Sequence, residues 1–136
     1  TSRFLAGAFR AVVGVERDLG RVQGARRVLA GCPNATVLHL DTLAGDWAPA
    51  VATVRALGGA DLVLIDGDHS YEAVLTDLSL ALLAGAGSAR RGGRPRFVAL
   101  DDHRTRAEVA QAAADLVLVG ALRGGRELGQ DRASCT

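Results

Sequence analysis

The sequence predicts an α/β fold built on a doubly wound, mostly parallel sheet with helices on both faces. Three observations predict it. Short, mostly apolar runs at Ala11–Val15, Thr36–Leu40, Leu62–Ile65 and Phe97–Leu100 alternate with helix-like segments, and the unbroken aliphatic Leu62–Ile65 reads as a strand buried on both faces of a parallel sheet. Each run stops at an acid: Glu16, Asp41, Asp66, and the pair Asp101–Asp102. The composition is 49% hydrophobic but only 4% aromatic, so the core is mostly Ala, Val and Leu.

Read in order, Ser2–Phe9 is a helix, followed by strand Ala11–Val15. Asp18 is placed to N-cap a helix over Leu19–Ala30, which Gly31 (left-handed) and Pro33 then end. Strand Thr36–Leu40 leads through Asp41 to a loop. Asp46 caps the next helix, which carries Pro49 in its first turn, runs to about Leu57 and stops at Gly58 and Gly59.

Strand Asp61–Ile65 and the turn DGDHS precede a helix from Tyr71 to about Ala84. Gly85–Pro95, rich in Gly, Arg and Ser, reads as a flexible surface loop before strand Arg96–Leu100. Thr105 and Glu108 have capping-box spacing for a helix to about Ala114, and Leu116–Val119 reads as a last strand. The tail Arg123–Thr136 reads as poorly ordered. The 136 residues fit one domain, and no solenoid-type repeat interrupts them.

A net charge of +1 gives no electrostatic reason to expect nucleic acid or an anionic membrane as partner. No apolar stretch reaches the length of a membrane span, and no signal peptide is visible. Cys32 and Cys135 form neither a metal-ligand spacing nor a disulfide framework, which suits a reduced, cytoplasmic setting. The chain has no Met and opens on TSRFLAGAF, as a fragment or a processed product would. Oligomeric state is not written in the pattern.

An acid after a strand is ordinarily the N-cap of the following helix. Four in register describe instead one rim lined with carboxylates, at the strand ends where open α/β sheets bind ligands. Glu16 is placed to accept hydrogen bonds from ribose hydroxyls, and Asp41 to meet an adenine edge. Asp66, Asp101 and Asp102 end neighbouring strands of such a sheet. Carboxylates brought together repel unless a cation holds them, and hard oxygen ligands favour Mg²⁺ or Ca²⁺. His69, three residues beyond Asp66, is the candidate general base, with His103 its competitor; His39, inside a strand, reads as structural.

IDGDHSYEAVLTDL followed by a strand ending in LDD resembles the class I S-adenosylmethionine-dependent methyltransferases. More narrowly, it is similar to the O-methyltransferase branch that includes macrolide-sugar O-methyltransferases and their metal-dependent relatives. The likeness runs from about Thr1 to Leu118. It implies a Rossmann-like fold and methyl transfer to a small-molecule or sugar hydroxyl. It implies a cofactor ribose held by Glu16, an adenine near Asp41, Mg²⁺ on Asp66, Asp101 and Asp102, and His69 as base. Catechol-type relatives give that last role to a lysine, a residue this chain lacks.

The chain departs from the family where the glycine-rich loop after the first strand is absent. In the family fold that first strand lies between the strands here assigned to Ala11–Val15 and Asp61–Ile65. Gly85–Pro95 is also longer than the family's tight turn, and no C-terminal hairpin is evident after Val119.

Two other readings share part of the pattern. A truncated, non-catalytic domain would keep the fold's outline without binding a cofactor. A nicotinamide-dependent oxidoreductase would share the alternation and the ribose-binding acid, but no Tyr–Lys pair for hydride transfer is present.

Overall fold

The computed structural model describes residues 2–45, 47–85, 97–101 and 105–123. Their order is α1 (Ser2–Ala8), β1 (Val12–Glu16), α2 (Leu19–Leu29), β2 (Ala35–His39), α3 (Ala48–Ala56), β3 (Leu62–Ile65), α4 (Tyr71–Gly85), β4 (Phe97–Leu100) and α5 (Ala107–Leu118). The α/β class is as the sequence predicts. All strand pairing is parallel, and each pair is joined through a helix, as a parallel pair requires.

The continuous sheet is not observed. β1 pairs only with β2 and β3 only with β4, giving two separate two-stranded sheets among the described residues. In the first, the register runs from Val12 opposite Ala35 to Glu16 opposite His39. In the second it runs from Leu62 opposite Phe97 to Ile65 opposite Leu100. A parallel strand needs a partner along each edge to lie inside a sheet, and β1 and β3 each have one.

Local chemistry explains the first unit. Asp18, in extended geometry at φ −82° and ψ 117°, caps α2 by accepting a 2.7 Å bond from the Arg21 amide. Arg26 and Arg27 fall in the last turn, where positive charge opposes the helix dipole. Arg26 also donates through Nε and Nη2 to the Val37 carbonyl, at 3.2 and 2.8 Å, fastening α2 to β2. Asn34 Nδ2 donates to Ala6 O and Phe9 O and so ties the end of α1 to the start of β2.

The main buried cluster lies in the second unit. Leu78 and Ala112 are wholly buried, and they cluster with Ile65, Val74, Val109 and Leu116. Val63, Ile65, Val98 and Leu100 alternate along β3 and β4 and join this cluster beneath α4 and α5. On the opposite face, Leu64 and Phe97 remain 43% and 57% exposed. Tyr71 joins the two helices through a 2.7 Å bond from its hydroxyl to Asp115 Oδ2.

Several boundaries differ from expectation. β1 and β2 begin and end one residue from the predicted runs, so Glu16 is itself a strand residue. Gly31 does not close α2 in a left-handed conformation, since Ala30 is the C-cap at φ −56° and Cys32 N bonds Leu29 O. Trp47 rather than Asp46 holds the N-cap position of α3, without a side-chain bond. Asp46 lies outside the described residues. Gly58 and Gly59 end that helix as expected, at φ 95° and 90°.

The expected capping box at Thr105 and Glu108 is shifted, because Arg106 is the N-cap of α5 and makes no side-chain cap bond. The expected last strand Leu116–Val119 is helix as far as Leu118. Leu116 falls four residues after Ala112 and seven after Val109, on the buried stripe of α5. Gly120, at φ 72°, then closes a Schellman motif, in which Gly120 N bonds Val117 O and Ala121 N bonds Leu116 O. The loop Gly85–Pro95 and the tail Arg123–Thr136 fall outside the described residues, except for Gly85 and Arg123 at their edges.

Candidate functional site

Between the two sheets lies a cavity of about 650 Å³. Its floor and walls come from β1 and β3, whose unpaired edges both reach it, and from Val51 and Val54 of α3 and Leu80 and Ala81 of α4. The carboxyl ends of three strands meet at its rim and bring Glu16, Asp41 and Asp66 to one opening. Asp68, Asp77 and Trp47 complete that rim.

Three of the rim acids, Glu16, Asp41 and Asp68, are held by local bonds. Glu16 Oε1 accepts a 2.9 Å bond from the Asp18 amide, and Arg21 Nη1 stands 4.0 Å from Oε2. The end of β1 and the start of α2 thereby fix the carboxylate in place. Asp41 Oδ1 accepts from the Leu43 amide at 3.0 Å, the short turn that Asp favours after a strand. Asp68 does the same for the Ser70 amide at 2.9 Å, with Arg17 Nη1 3.7 Å from its other oxygen. These bonds, the Ser70 amide first, hold the Asp68 carboxyl below its ordinary value.

Asp77 behaves in the opposite way. It sits on α4, half-buried, facing the cavity. Burial pushes its carboxyl up, the nearby Asp68 charge adds to this, and the Thr42 side chain opposes it by hydrogen bonding. Trp47 and Asp77, like Asp68 in the DGDHS turn, are rim residues to which sequence reasoning gave no role. The first is the only tryptophan and follows Asp41 closely. The second is masked in the sequence, because an acid in a Leu-rich helix reads as one solvated position.

The remaining predicted residues are placed differently. Asp66 and Asp101 do end neighbouring strands, since Ile65 faces Leu100 and Asp101 N bonds Ile65 O. Asp66 lines the cavity and Asp101 does not. Asp102 and His103 lie outside the described residues. Among the described residues, no three His, Cys, Asp or Glu side chains converge to hold a metal ion.

His69 is half-buried with its Nε2 shielded from solvent, and it is not part of the cavity wall. His39 has the structural place expected of it, with Nε2 2.9 Å from Arg17 O at the end of β2. Cys32 is a free thiol, half-buried, and Cys135 lies outside the described residues. Among the described residues no helix is long and apolar enough to cross a membrane.

Comparison with known protein families, with curated proteins and with solved structures returned no match to this chain.

Proposed function

We propose that the chain is an S-adenosylmethionine-dependent O-methyltransferase domain of the Rossmann-like, doubly wound kind, acting on a small-molecule or sugar hydroxyl. One observation carries the reading. Glu16 and Asp41, the acids at the carboxyl ends of two paired parallel strands, both open onto the cavity that Asp66 also lines. Ligands of open α/β sheets bind beyond such strand ends. The sequence likeness over DGDHSYE and the LDD strand supplies the reaction class.

The donor set suits a nucleoside. The Asp18 bond holds the Glu16 carboxylate rigid while leaving acceptor capacity for two vicinal ribose hydroxyls. Asp41 keeps its second oxygen outside the turn bond, available to an exocyclic amine. Trp47 offers an aromatic face at the same rim. When bound, S-adenosylmethionine supplies a sulfonium methyl open to in-line attack by a hydroxyl oxygen.

The chain's own part is to align that hydroxyl and accept its proton. The likeness assigns the proton to His69. Asp66 and Asp101 offer two of the three carboxylates expected for Mg²⁺, and the described residues do not complete the set. A reduced, cytoplasmic setting fits this reading and the free thiol of Cys32.

Thermal unfolding with S-adenosylhomocysteine tests the proposal, with NAD as the control ligand. At about a hundred times its dissociation constant a ligand stabilises by roughly 2.7 kcal/mol, and Glu16→Gln should reduce that shift at fixed ligand concentration. A cooperative melt unmoved by S-adenosylhomocysteine overturns the methyltransferase reading, and a shift with NAD alone replaces it with the oxidoreductase one.

A second reading, a non-catalytic α/β module, is favoured by the open edges of β1 and β3 across the cavity. In it, Glu16 serves only to join β1 to α2 through Asp18 and Arg21. The same melt separates the two readings, since this one gives no shift with either ligand.

A further inference from the structure

Arg10 and Arg17 flank β1, one shortly before the strand and one directly after it. Each reaches across the cavity to a residue that flanks β3. Arg10 Nη2 donates to Leu57 O at 3.0 Å, on the approach to β3. Arg17 Nη1 stands 3.7 Å from Asp68 Oδ2, in the turn that follows β3. All four residues line the cavity. The two sheets share no ladder, and a guanidinium spans the gap between them at either end.

The two crossings differ in kind. Leu57 is the C-cap of α3, and helix ends leave carbonyls without an intrahelical partner. A cation there also opposes the helix dipole. The same end of α3 is fastened to α4, through Arg55 Nε and Nη2 to Leu83 O at 3.3 and 3.1 Å. That end of the cavity is therefore held by hydrogen bonds.

At the rim the crossing is an ion pair longer than a hydrogen bond, with the Arg17 and Asp68 side chains 58% and 38% exposed. Both partners are anchored from behind. Arg17 O lies 2.9 Å from His39 Nε2 at the end of β2, and Asp68 Oδ1 accepts from the Ser70 amide at 2.9 Å. The pair can part without either of those bonds breaking.

We propose that the Arg17–Asp68 pair is a salt-sensitive latch across the cavity mouth, and that the Arg10–Leu57 bond holds the fixed end about which the two sheets part. An exposed ion pair biases an open–closed equilibrium by up to about fivefold, so the latch favours closure without locking it. Salt weakens it, because the screening length falls from about 30 Å at roughly 0.01 M to about 3 Å at roughly 1 M. Any consequence for entry of S-adenosylmethionine rests on the function proposed above; the latch itself does not.

Trp47, the only tryptophan, is a half-buried part of the same rim and reports on the mouth. Acrylamide quenching of its fluorescence on the full chain tests the latch, since this quencher is neutral. In the wild type the quenching constant should rise between low salt and about 1 M salt. In Arg17→Gln and in Asp68→Asn it should start higher, by up to about fivefold, and stay flat with salt. Asp68→Asn keeps the acceptor for the Ser70 amide and removes only the charge.

Arg17→Lys, which keeps the charge, should retain the salt response. Arg21→Gln removes a neighbouring guanidinium that pairs with Glu16 inside the first unit, and it should behave as the wild type. Arg10→Gln should lower Tm and keep the salt response, because its latch is intact. Three results overturn the proposal: a wild-type constant flat with salt, a salt response that survives in both Arg17→Gln and Asp68→Asn, or its loss in Arg10→Gln or Arg21→Gln. S-adenosylhomocysteine binding, measured on the same proteins, separates the two claims. The expected quenching pattern with no binding in any of them would sink the function and leave the latch standing.

Discussion

The Tyr71 hydroxyl donates a 2.7 Å hydrogen bond to Asp115 Oδ2 across 44 residues of sequence, and Gln111 Nε2 holds the other oxygen of Asp115 at 2.8 Å. The bond joins α4 to α5 above the main core. Donation to a carboxylate, with some burial, raises the Tyr71 phenol above its ordinary value. The folded state therefore keeps the phenolic proton more tightly than the unfolded chain. Stability from this bond is complete below the ordinary phenol range and is lost as pH rises through the raised folded value. Tyr71→Phe should lower Tm at neutral pH and flatten the alkaline fall in stability. An unchanged alkaline limb in melts of the variant would refute this.

Asp77 is also shifted upward, the reverse of the direction a hydrogen-bonded carboxyl such as Asp68 takes. Burial and the facing Asp68 charge raise it, so the folded state binds a proton more readily than the unfolded chain does. Stability accordingly falls as pH rises from the ordinary carboxyl value through the raised one. Asp77→Asn should raise Tm at neutral pH, and the advantage should shrink in acid, below the ordinary value, where both proteins are uncharged at this position. Melting curves across that range provide the comparison.

Leu78 is wholly buried and sits at the centre of the cluster formed by α4, α5 and β3. Leu78→Ala should cost about 2–5 kcal/mol, the usual range for a buried leucine that leaves a cavity. Urea unfolding should show a lower midpoint, and a change below about 1 kcal/mol would mean the cluster collapses freely around the gap.

Asp18 caps α2 through the Arg21 amide and also donates its own amide to Glu16. Asp18→Ala removes only the first of these bonds. It should cost about 1 kcal/mol and leave the Glu16 carboxylate in place, so ligand affinity at fixed temperature should stay near the wild-type value. Loss of binding in proportion to the loss of stability would show that the cap and the rim are not separable.

Val15 and Leu64, on the two strands that border the cavity, are 41% and 43% exposed. Aliphatic strand residues beside an unpaired edge invite pairing with another chain. The isolated chain should associate as its concentration rises, measured by sedimentation. Leu64→Lys should suppress that association, and identical sedimentation of the two proteins would exclude this edge as its cause.

Residues 62–65 illustrate what was legible in sequence. Four aliphatic residues bounded by acids and flanked by helical patterns read as a strand, and β3 has those ends, although of its residues only Ile65 is buried. Asp18 and the Gly58–Gly59 stop were equally plain, because capping and left-handed geometry depend on residues close in the chain. Leu116–Val119 was not. An apolar run of that length suits strand or helix, and the packing of Leu116 beside Ala112 decided for the helix.

By itself, then, the sequence determined the α/β alternation, the parallel pairing through helices and the acids at the strand ends. Each follows from local patterns of two to a dozen residues. Only the tertiary structure decided that the strands form two separate pairs with a cavity between them. It alone brought Asp77 against Gly67, and left His69 and Asp101 off the cavity wall. Strand edges and side chains distant in sequence meet only when helices such as α4 and α5 pack, and that packing is a sum of contacts no short pattern encodes.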